Sequence, residues 1–334
     1  GAYIMSLKQD INYTIWCDFI ERDFLEGQFQ DIINDETIHG ATSNPAIFAQ
    51  SISTSEAYVS TISMLQANTG KKIYEALAIA DIKRAAQLLE PLYEENNDDG
   101  FISIEVDPSL CDDANATIEE GIRLYKAIGY NNVMIKVPAT DAGYIAMEEL
   151  TAAGINVNAT LIFSSQQAQE CAKALNEGIN KSEENTKAVI SIFVSRFDRL
   201  CDPKFKDLNL DTGKLGIINA TKCYHEISKF QNNNIRTLFA STGVKGNDLT
   251  PSYYIDELIF PHSVNTAPLA TIESWCKNGK NEPSIILSEI ECNKYFDECK
   301  INNIDINDIS QELLKDGLSA FKVSFAKLLK DIKE

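Results

Sequence analysis

The sequence predicts an α/β fold, an eight-stranded parallel (β/α)8 or TIM barrel with additional helices, on three observations. Short apolar runs alternate with longer amphipathic segments, which is the pattern of repeated β–α units and a parallel sheet. There are eight such runs, the number that closes a parallel barrel. No Pro-, Gly- or Ser-rich linker divides the 334 residues. We therefore predict one domain over residues 5–334, with helical insertions and a helical C-terminal tail.

The strands are predicted from their apolar runs, in chain order, at residues 15–19, 38–42, 101–107, 132–138, 155–163, 188–194, 235–241 and 257–264. The helices are predicted from capping residues and apolar stripes, at residues 112–129, 141–154 and 164–178, over 53–95 as two helices, and from 308 to the end. The helices over 53–95 and in the tail account for the length beyond that of an ordinary barrel. They are expected either to cover a barrel end or to form a subunit contact, so a homodimer and a monomer both stay open.

Composition narrows the class of protein. The net charge of −19 argues against nucleic acid as a partner, because proteins that bind it present basic patches. No segment approaches the roughly 18 consecutive apolar residues of a membrane span, so no membrane partner is expected. The eight cysteines include no C-x-x-C pair, and the first residues lack a basic region followed by an apolar run. We therefore expect free thiols, no secretion signal and a cytoplasmic protein, with residues 1–4 as a cloning scar ahead of Met5.

Strand parity places a set of polar side chains inside the barrel. Successive strand residues point to opposite faces, and the face toward the helices must be apolar. This parity turns inward the aromatic residues Trp16 and Phe193, and the polar residues Asp18, Ser103, Glu105, Asp107, Lys136, Asn158, Thr160 and Ser191. Any one of these is more commonly an ordinary core or surface group. An interior lysine with carboxylates, however, is unfavourable unless the charges are paired. As a set near the C-terminal ends of barrel strands, these residues predict an active site.

Seven segments resemble, in order, the strand motifs of the transaldolase family: IWCDFI, GATSNPAIF, ISIEVDP, VMIKVPAT, INVNATLIFS, ISIFVSR and VNTAP. The matches extend from about residue 11 to residue 270 and are most similar to the longer bacterial branch. The resemblance implies an α/β barrel that moves a dihydroxyacetone unit from sedoheptulose 7-phosphate to glyceraldehyde 3-phosphate. The products would be erythrose 4-phosphate and fructose 6-phosphate, in the non-oxidative pentose phosphate pathway. It implies sugar phosphates as the partners, and neither a metal nor an organic cofactor.

The resemblance also implies roles for individual residues. Lys136 is expected to form the Schiff base with the ketose, since breaking a C–C bond beside a carbonyl requires an electron sink. Asp18 is expected to deprotonate the C4 hydroxyl, and Glu105 to move protons through a water that Thr160 orients. The residues expected to contact the bound three-carbon unit or to wall its pocket are Asn44, Asn158, Ser191 and Phe193. Asn44 is equally explained as a turn residue before a proline, and Phe193 as core filling.

The phosphate group is expected to bind after the sixth and seventh strands. Arg196 matches a phosphate-binding arginine of the family, and its planar guanidinium suits phosphate oxygens. Some transaldolases carry a serine and an arginine two residues apart after the seventh strand. This chain has Ser241 but Gly243 in place of the arginine. Lys245 is expected either to supply the missing charge or to be a solvated loop residue.

Three alternatives are considered beside this hypothesis. A related aldolase cleaves fructose 6-phosphate through the same Schiff base, but such chains are shorter and carry Tyr where this one has Glu105. A metal-dependent enzyme on the same barrel is disfavoured because the inward positions contain no histidine. A non-catalytic sugar-phosphate-binding barrel is disfavoured because every expected catalytic residue type is present.

Overall fold

The computed structural model describes residues 6–333 and shows a closed barrel of eight parallel strands. Each strand pairs with the next along the chain, and the last pairs with the first. The strands are β1 (Tyr13–Asp18), β2 (Ala41–Thr42), β3 (Ile102–Glu105), β4 (Val133–Pro138), β5 (Asn156–Ile162), β6 (Ala188–Phe193), β7 (Ile235–Ala240) and β8 (Ser263–Ala267). The predicted fold class is confirmed. The predicted domain limits at residues 5 and 334, and the predicted scar over residues 1–4, lie outside the described residues.

Six strands lie within two residues of their predicted ends, the second is shorter than predicted, and the eighth prediction is wrong in position. The apolar run at residues 258–260 is a buried loop, and the strand begins at Ser263. Phe260 packs edge-to-face on Phe239 at a centroid distance of 5.5 Å, so burial does not require an extended backbone there. His262 has a φ of 55°, in the left-handed region, which separates this loop from β8. Asp107 is also not in a strand, because β3 ends at Glu105.

Fifteen α-helices surround the barrel in the described part of the chain. They are α1 (Leu7–Ile11), α2 (Arg22–Leu25), α3 (Gln28–Asn34), α4 (Pro45–Thr54), α5 (Val59–Met64), α6 (Gly70–Glu95), α7 (Ala114–Ile128), α8 (Asp141–Ala152), α9 (Ser165–Lys181), α10 (Ser195–Asp207), α11 (Leu215–Ser228), α12 (Tyr253–Asp256), α13 (Leu269–Asn278), α14 (Glu289–Ile301) and α15 (Ile306–Asp331). None of the described helices is long and apolar enough to cross a membrane.

Capping residues account for several of the helix ends. The side chain of Asp113 accepts a hydrogen bond at the start of α7, and Gly129 ends that helix with a φ of 74°. Ser164 and Gln167 form a capping box at the start of α9. The region predicted as two helices over residues 53–95 contains the end of α4, a 3-10 turn, α5 and α6.

The C-terminal helix α15 lies across the C-terminal end of the barrel, where it packs on α4, α6, α10 and β5. Phe325 on α15 contacts Tyr74 edge-to-face at 5.1 Å between ring centroids. At Gly317 the helix comes close to the barrel, because a Cβ there would lie 3.1 Å from Leu161 Cδ2 and 3.2 Å from Arg196 Nη1. The tail therefore covers the barrel end at which the predicted active site lies.

The opposite end of the barrel is closed by a buried polar cluster that the strand pattern did not predict. Arg236 on β7 donates to Asp99 Oδ1 at 3.1 Å, and both side chains are buried. Trp16 donates to the same oxygen at 3.1 Å. Gly40 is required beside the indole, because a Cβ at this residue would lie 2.7 Å from ring atoms of Trp16.

Candidate active site

Three strands place polar side chains at one level of the barrel interior. Glu105 on β3 is in register with Lys136 on β4, which is in register with Asn158 on β5. Ser191 on β6 donates to Asn158 Oδ1 at 2.6 Å and extends the layer to a fourth strand. Because all four residues are buried, the layer is a polar interior within an otherwise apolar barrel.

The amine of Lys136 occupies the centre of this layer. Its Nζ lies 4.0 Å from Glu105 Oε1 and donates to the carbonyl oxygen of Ser43 at 3.0 Å. The Ser43 carbonyl is held in turn, because the Ser43 hydroxyl donates to the carbonyl oxygen of Ser103 on β3 at 2.7 Å. Lys136 is 5% exposed, so strand parity and these contacts hold its amine in the barrel interior.

The carboxyl group of Glu105 is nearly inaccessible, with 1% of its side chain exposed. Neither oxygen has a hydrogen-bond partner among the described residues. Burial raises the pKa of Glu105 to about 7, opposed by the nearby Lys136 and assisted by the charge of Asp18. A carboxyl group with this pKa exchanges its proton readily near neutral pH, which suits a group that both donates and accepts protons.

Asp18 is the last residue of β1 and is in register with Thr42 on β2. Its Oδ1 accepts a hydrogen bond from Thr42 Oγ1 at 2.7 Å. Burial raises the pKa of Asp18, and the positive charge of Lys136 and the Thr42 hydrogen bond oppose that rise. Thr42 Oγ1 also lies 2.6 Å from Thr266 Oγ on β8. Neither threonine was singled out from the sequence, although both lie within the family-like segments GATSNPAIF and VNTAP.

The amide of Asn158 is held at both ends. Its Nδ2 donates to Ser103 Oγ at 3.1 Å, while its Oδ1 accepts from Ser191. Thr160, two residues further along β5, is fully buried, and no described residue forms a hydrogen bond with its hydroxyl. Buried hydroxyls are nearly always hydrogen-bonded. This one is therefore suited to a water or a substrate group, as are the two oxygens of Glu105.

Asn44 is the N-cap of α4, and its Oδ1 accepts a hydrogen bond from the backbone N–H of Ile47 at 2.9 Å. Asn44 therefore has the local structural role before Pro45 that was the alternative to substrate binding. No described residue accepts a hydrogen bond from its Nδ2, so the amide nitrogen remains free to bind a ligand hydroxyl.

The predicted phosphate region lies where β6 and β7 end. The guanidinium carbon of Arg196 lies 5.0 Å from the centroid of the Phe193 ring, so this ring supports the arginine. Ser241 follows β7 with a φ of 54°. Its Oγ lies 2.9 Å from Ser195 Oγ and accepts from Arg199 Nη2 at 3.3 Å. Arg199, which lies three residues after Arg196 on α10, was not predicted from the sequence.

Lys245 is exposed on the loop after β7. It lines a cavity of about 220 Å³ that Arg199 and Ser195 also line. Among residues 6–333, no group of three or more His, Cys, Asp or Glu side chains is arranged to hold a metal ion.

A parallel barrel that encloses one amine beside two carboxyl groups of raised pKa defines the class of lysine-dependent enzymes acting on carbonyl compounds. Residues 15–332 match the model of the transaldolase/fructose-6-phosphate aldolase family. The chain is 47% identical to a transaldolase of Helicobacter pylori strain P12, over 95% of this chain and 98% of that protein. It is also 47% identical to a transaldolase of Campylobacter jejuni subsp. doylei, over 96% and 99% of the two chains.

The chain therefore belongs to the transaldolase/fructose-6-phosphate aldolase family. The resemblance inferred from the ordered strand motifs is confirmed, as is the enzyme class, that of the transaldolases.

Proposed function

We propose that this enzyme transfers a dihydroxyacetone unit from sedoheptulose 7-phosphate to glyceraldehyde 3-phosphate, through a Schiff base on Lys136. The observation that carries the proposal is a buried amine 4.0 Å from a carboxyl group that has no other polar partner in the described part of the chain. The near-full-length match to proteins named transaldolase supports transfer as the reaction.

The Schiff base forms when the neutral amine of Lys136 attacks the ketose carbonyl carbon. The resulting carbinolamine loses its hydroxyl as water, which requires a proton at the departing oxygen. Glu105 is the group placed to provide this proton, because its pKa of about 7 leaves a large protonated fraction at neutral pH. Thr160 lies on β5, which pairs with the strand of Lys136, and its hydroxyl has no hydrogen-bond partner among the described residues. It would orient a water between Glu105 and the carbinolamine.

Cleavage follows from the iminium. Asp18 takes the proton of the C4 hydroxyl, the C3–C4 bond breaks, and its electron pair passes into the iminium to give an enamine on Lys136. The departing fragment leaves as an aldose phosphate. The acceptor aldehyde then undergoes the reverse sequence, in which Asp18 returns its proton to the new hydroxyl. The hydrogen bond from Thr42 fixes the orientation of the Asp18 carboxylate for both steps.

The bound three-carbon unit must be held while one aldehyde leaves and another enters. Asn158 and Ser191 form a hydrogen-bonded pair beside Lys136 and would bind the hydroxyls of the three-carbon unit. Asn44 contributes its free Nδ2 from the start of α4. Arg196 and Ser241, at the ends of β6 and β7, are proposed to bind the phosphate of the donor and of the acceptor.

Acceptor dependence tests the reaction type. We expect fructose 6-phosphate to be consumed rapidly when erythrose 4-phosphate is supplied, and only slowly when the purified enzyme has no aldose acceptor. Rapid release of free dihydroxyacetone without an acceptor would contradict transfer and would favour fructose 6-phosphate aldolase activity. The presence of Glu105 rather than a tyrosine at this site supports transfer.

We further propose that the protein acts in the cytoplasm as a single-domain enzyme. All eight cysteines have free thiols in the described part of the chain, as expected where thiols are kept reduced.

A further inference from the structure

Two arginines lie three residues apart at the start of α10, where the substrate phosphate is proposed to bind. Arg196 and Arg199 both belong to the first turns of α10, where Arg196 is half-buried and Arg199 is exposed. No carboxylate in residues 6–333 forms an ion pair with either of them. Burial, and after it the neighbouring charge of Arg199, lowers the pKa of Arg196. On a chain of net charge −19, two neighbouring unpaired arginines form a local site for an anion.

Arg199 contacts Ser241, the serine that the family resemblance assigns to phosphate binding. Its Nη2 donates to Ser195 Oγ at 3.1 Å and to Ser241 Oγ at 3.3 Å, and the two hydroxyls lie 2.9 Å apart. Ser241 adopts a positive φ, which non-glycine residues seldom do and which commonly marks a functional constraint. A phosphate oxygen bound to Ser241 would therefore lie within reach of the Arg199 guanidinium.

The family resemblance predicts an arginine at residue 243, but this residue is glycine and supplies no charge. A Cβ at Gly243 would already lie 3.3 Å from Pro268 Cγ, so the space beside the loop is narrow. Arg199 approaches Ser241 from α10 instead. Lys245 is exposed, as Arg199 is, but forms no hydrogen bond or ion pair with another described residue. The two residues line one cavity, so they are competing sources of the second positive charge. Three carboxyl groups line the same cavity, and none of them forms an ion pair with either residue: Asp198, Asp202 and Asp248.

We propose that Arg199, rather than Lys245, supplies the second guanidinium of a clamp that binds the substrate phosphate together with Arg196, Ser195 and Ser241. This inference rests on the proposed function and names residues of its phosphate site. A guanidinium can bind two phosphate oxygens through parallel N–H groups, which a lysine amine cannot do.

The test compares Arg199→Ala, Arg199→Lys and Lys245→Ala with the unmodified enzyme, and Lys206→Ala serves as a control that removes an exposed charge from the same helix. The first readout is the ketose concentration that gives half-maximal borohydride trapping on Lys136, with fructose 6-phosphate or with dihydroxyacetone, which has no phosphate. The second readout is the shift in Tm caused by inorganic phosphate, which does not depend on Schiff-base chemistry.

We expect Arg199→Ala to raise the half-maximal fructose 6-phosphate concentration roughly 10- to 100-fold, the range for a lost hydrogen bond to a charged group. The value for dihydroxyacetone should stay unchanged, Arg199→Lys should be intermediate, and the Tm shift with phosphate should be lost. A larger effect in Lys245→Ala than in Arg199→Ala would overturn the inference. So would an Arg199→Ala effect that is equal for both ketoses. If no ketose is trapped in the unmodified enzyme, the proposed function fails, while a phosphate-dependent Tm shift lost in Arg199→Ala would still support the anion site.

Discussion

Replacement of Glu105 with Gln removes a buried carboxyl group whose pKa burial raises to about 7, from a usual value of 4.5. A pKa difference of this size between the folded and unfolded chain corresponds to about 3 kcal/mol. Below about pH 4.5 the group is protonated in both states, so its contribution to stability is complete. As the pH rises toward 7, the unfolded chain loses the proton and the folded chain keeps it, so the free energy of unfolding falls.

The glutamine side chain has a similar shape and does not titrate. Between pH 4.5 and pH 7.5 the unmodified enzyme should therefore lose about 3 kcal/mol of unfolding free energy relative to Glu105→Gln. Asp198, whose pKa burial also raises to about 6, is present in both proteins and cancels from this difference. The contribution of Asp18 does not cancel completely from the difference, because its charge raises the pKa of Glu105.

The measurement is urea unfolding at several pH values, followed by both tryptophan fluorescence and far-UV circular dichroism. Coincident transitions by the two probes are required before a free energy is extracted. Glu94→Gln, which removes an exposed carboxylate from α6, controls for the change in net charge. A Glu105→Gln difference that does not vary over this pH range would show that the carboxyl group titrates normally, and would refute the reasoning from burial.

Three other changes have definite expected outcomes. Thr42→Val removes a hydrogen bond from the Asp18 carboxylate, so the acidic limb of the kcat–pH profile should move up by about 1 unit, whereas an unchanged profile would contradict a role for Asp18 as the base. Gly40→Ala forces a Cβ against the Trp16 ring and should lower the free energy of unfolding by about 1–3 kcal/mol in a urea titration; no loss would show that the indole can move freely. Phe325→Ala removes a buried ring of α15 and should cost about 3–5 kcal/mol by the same measurement, with a cost below 1 kcal/mol contradicting the packing of this helix.

Strand order and strand parity are the parts of this fold that the sequence predicts well. Alternation of apolar and polar residues is a local property, so Glu105, Lys136 and Asn158 could be assigned to the interior without knowledge of their neighbours. The eighth strand was misplaced because an apolar run indicates burial and not backbone conformation. Residues 258–260 are buried as a loop against the aromatic side chains of neighbouring elements.

The contacts that tune the site were not accessible to the same reasoning. The Thr42 hydrogen bond to Asp18 joins two strands and depends on their register. The approach of Arg199 to Ser241 depends on how the first turns of α10 pack beside the end of β7. Both are tertiary relations between distant segments. Spacing along the chain does not encode them, although the arginine pair in SRFDR shows that a second guanidinium lies one helical turn from Arg196.

The central claim, that Lys136 is the covalent nucleophile, is tested most directly by borohydride reduction in the presence of fructose 6-phosphate, followed by peptide mass mapping. The account predicts a stable three-carbon adduct on the peptide that contains Lys136, and no adduct in a folded Lys136→Ala variant. An active enzyme in which Lys136 remains unmodified, or in which another lysine carries the adduct, would contradict it.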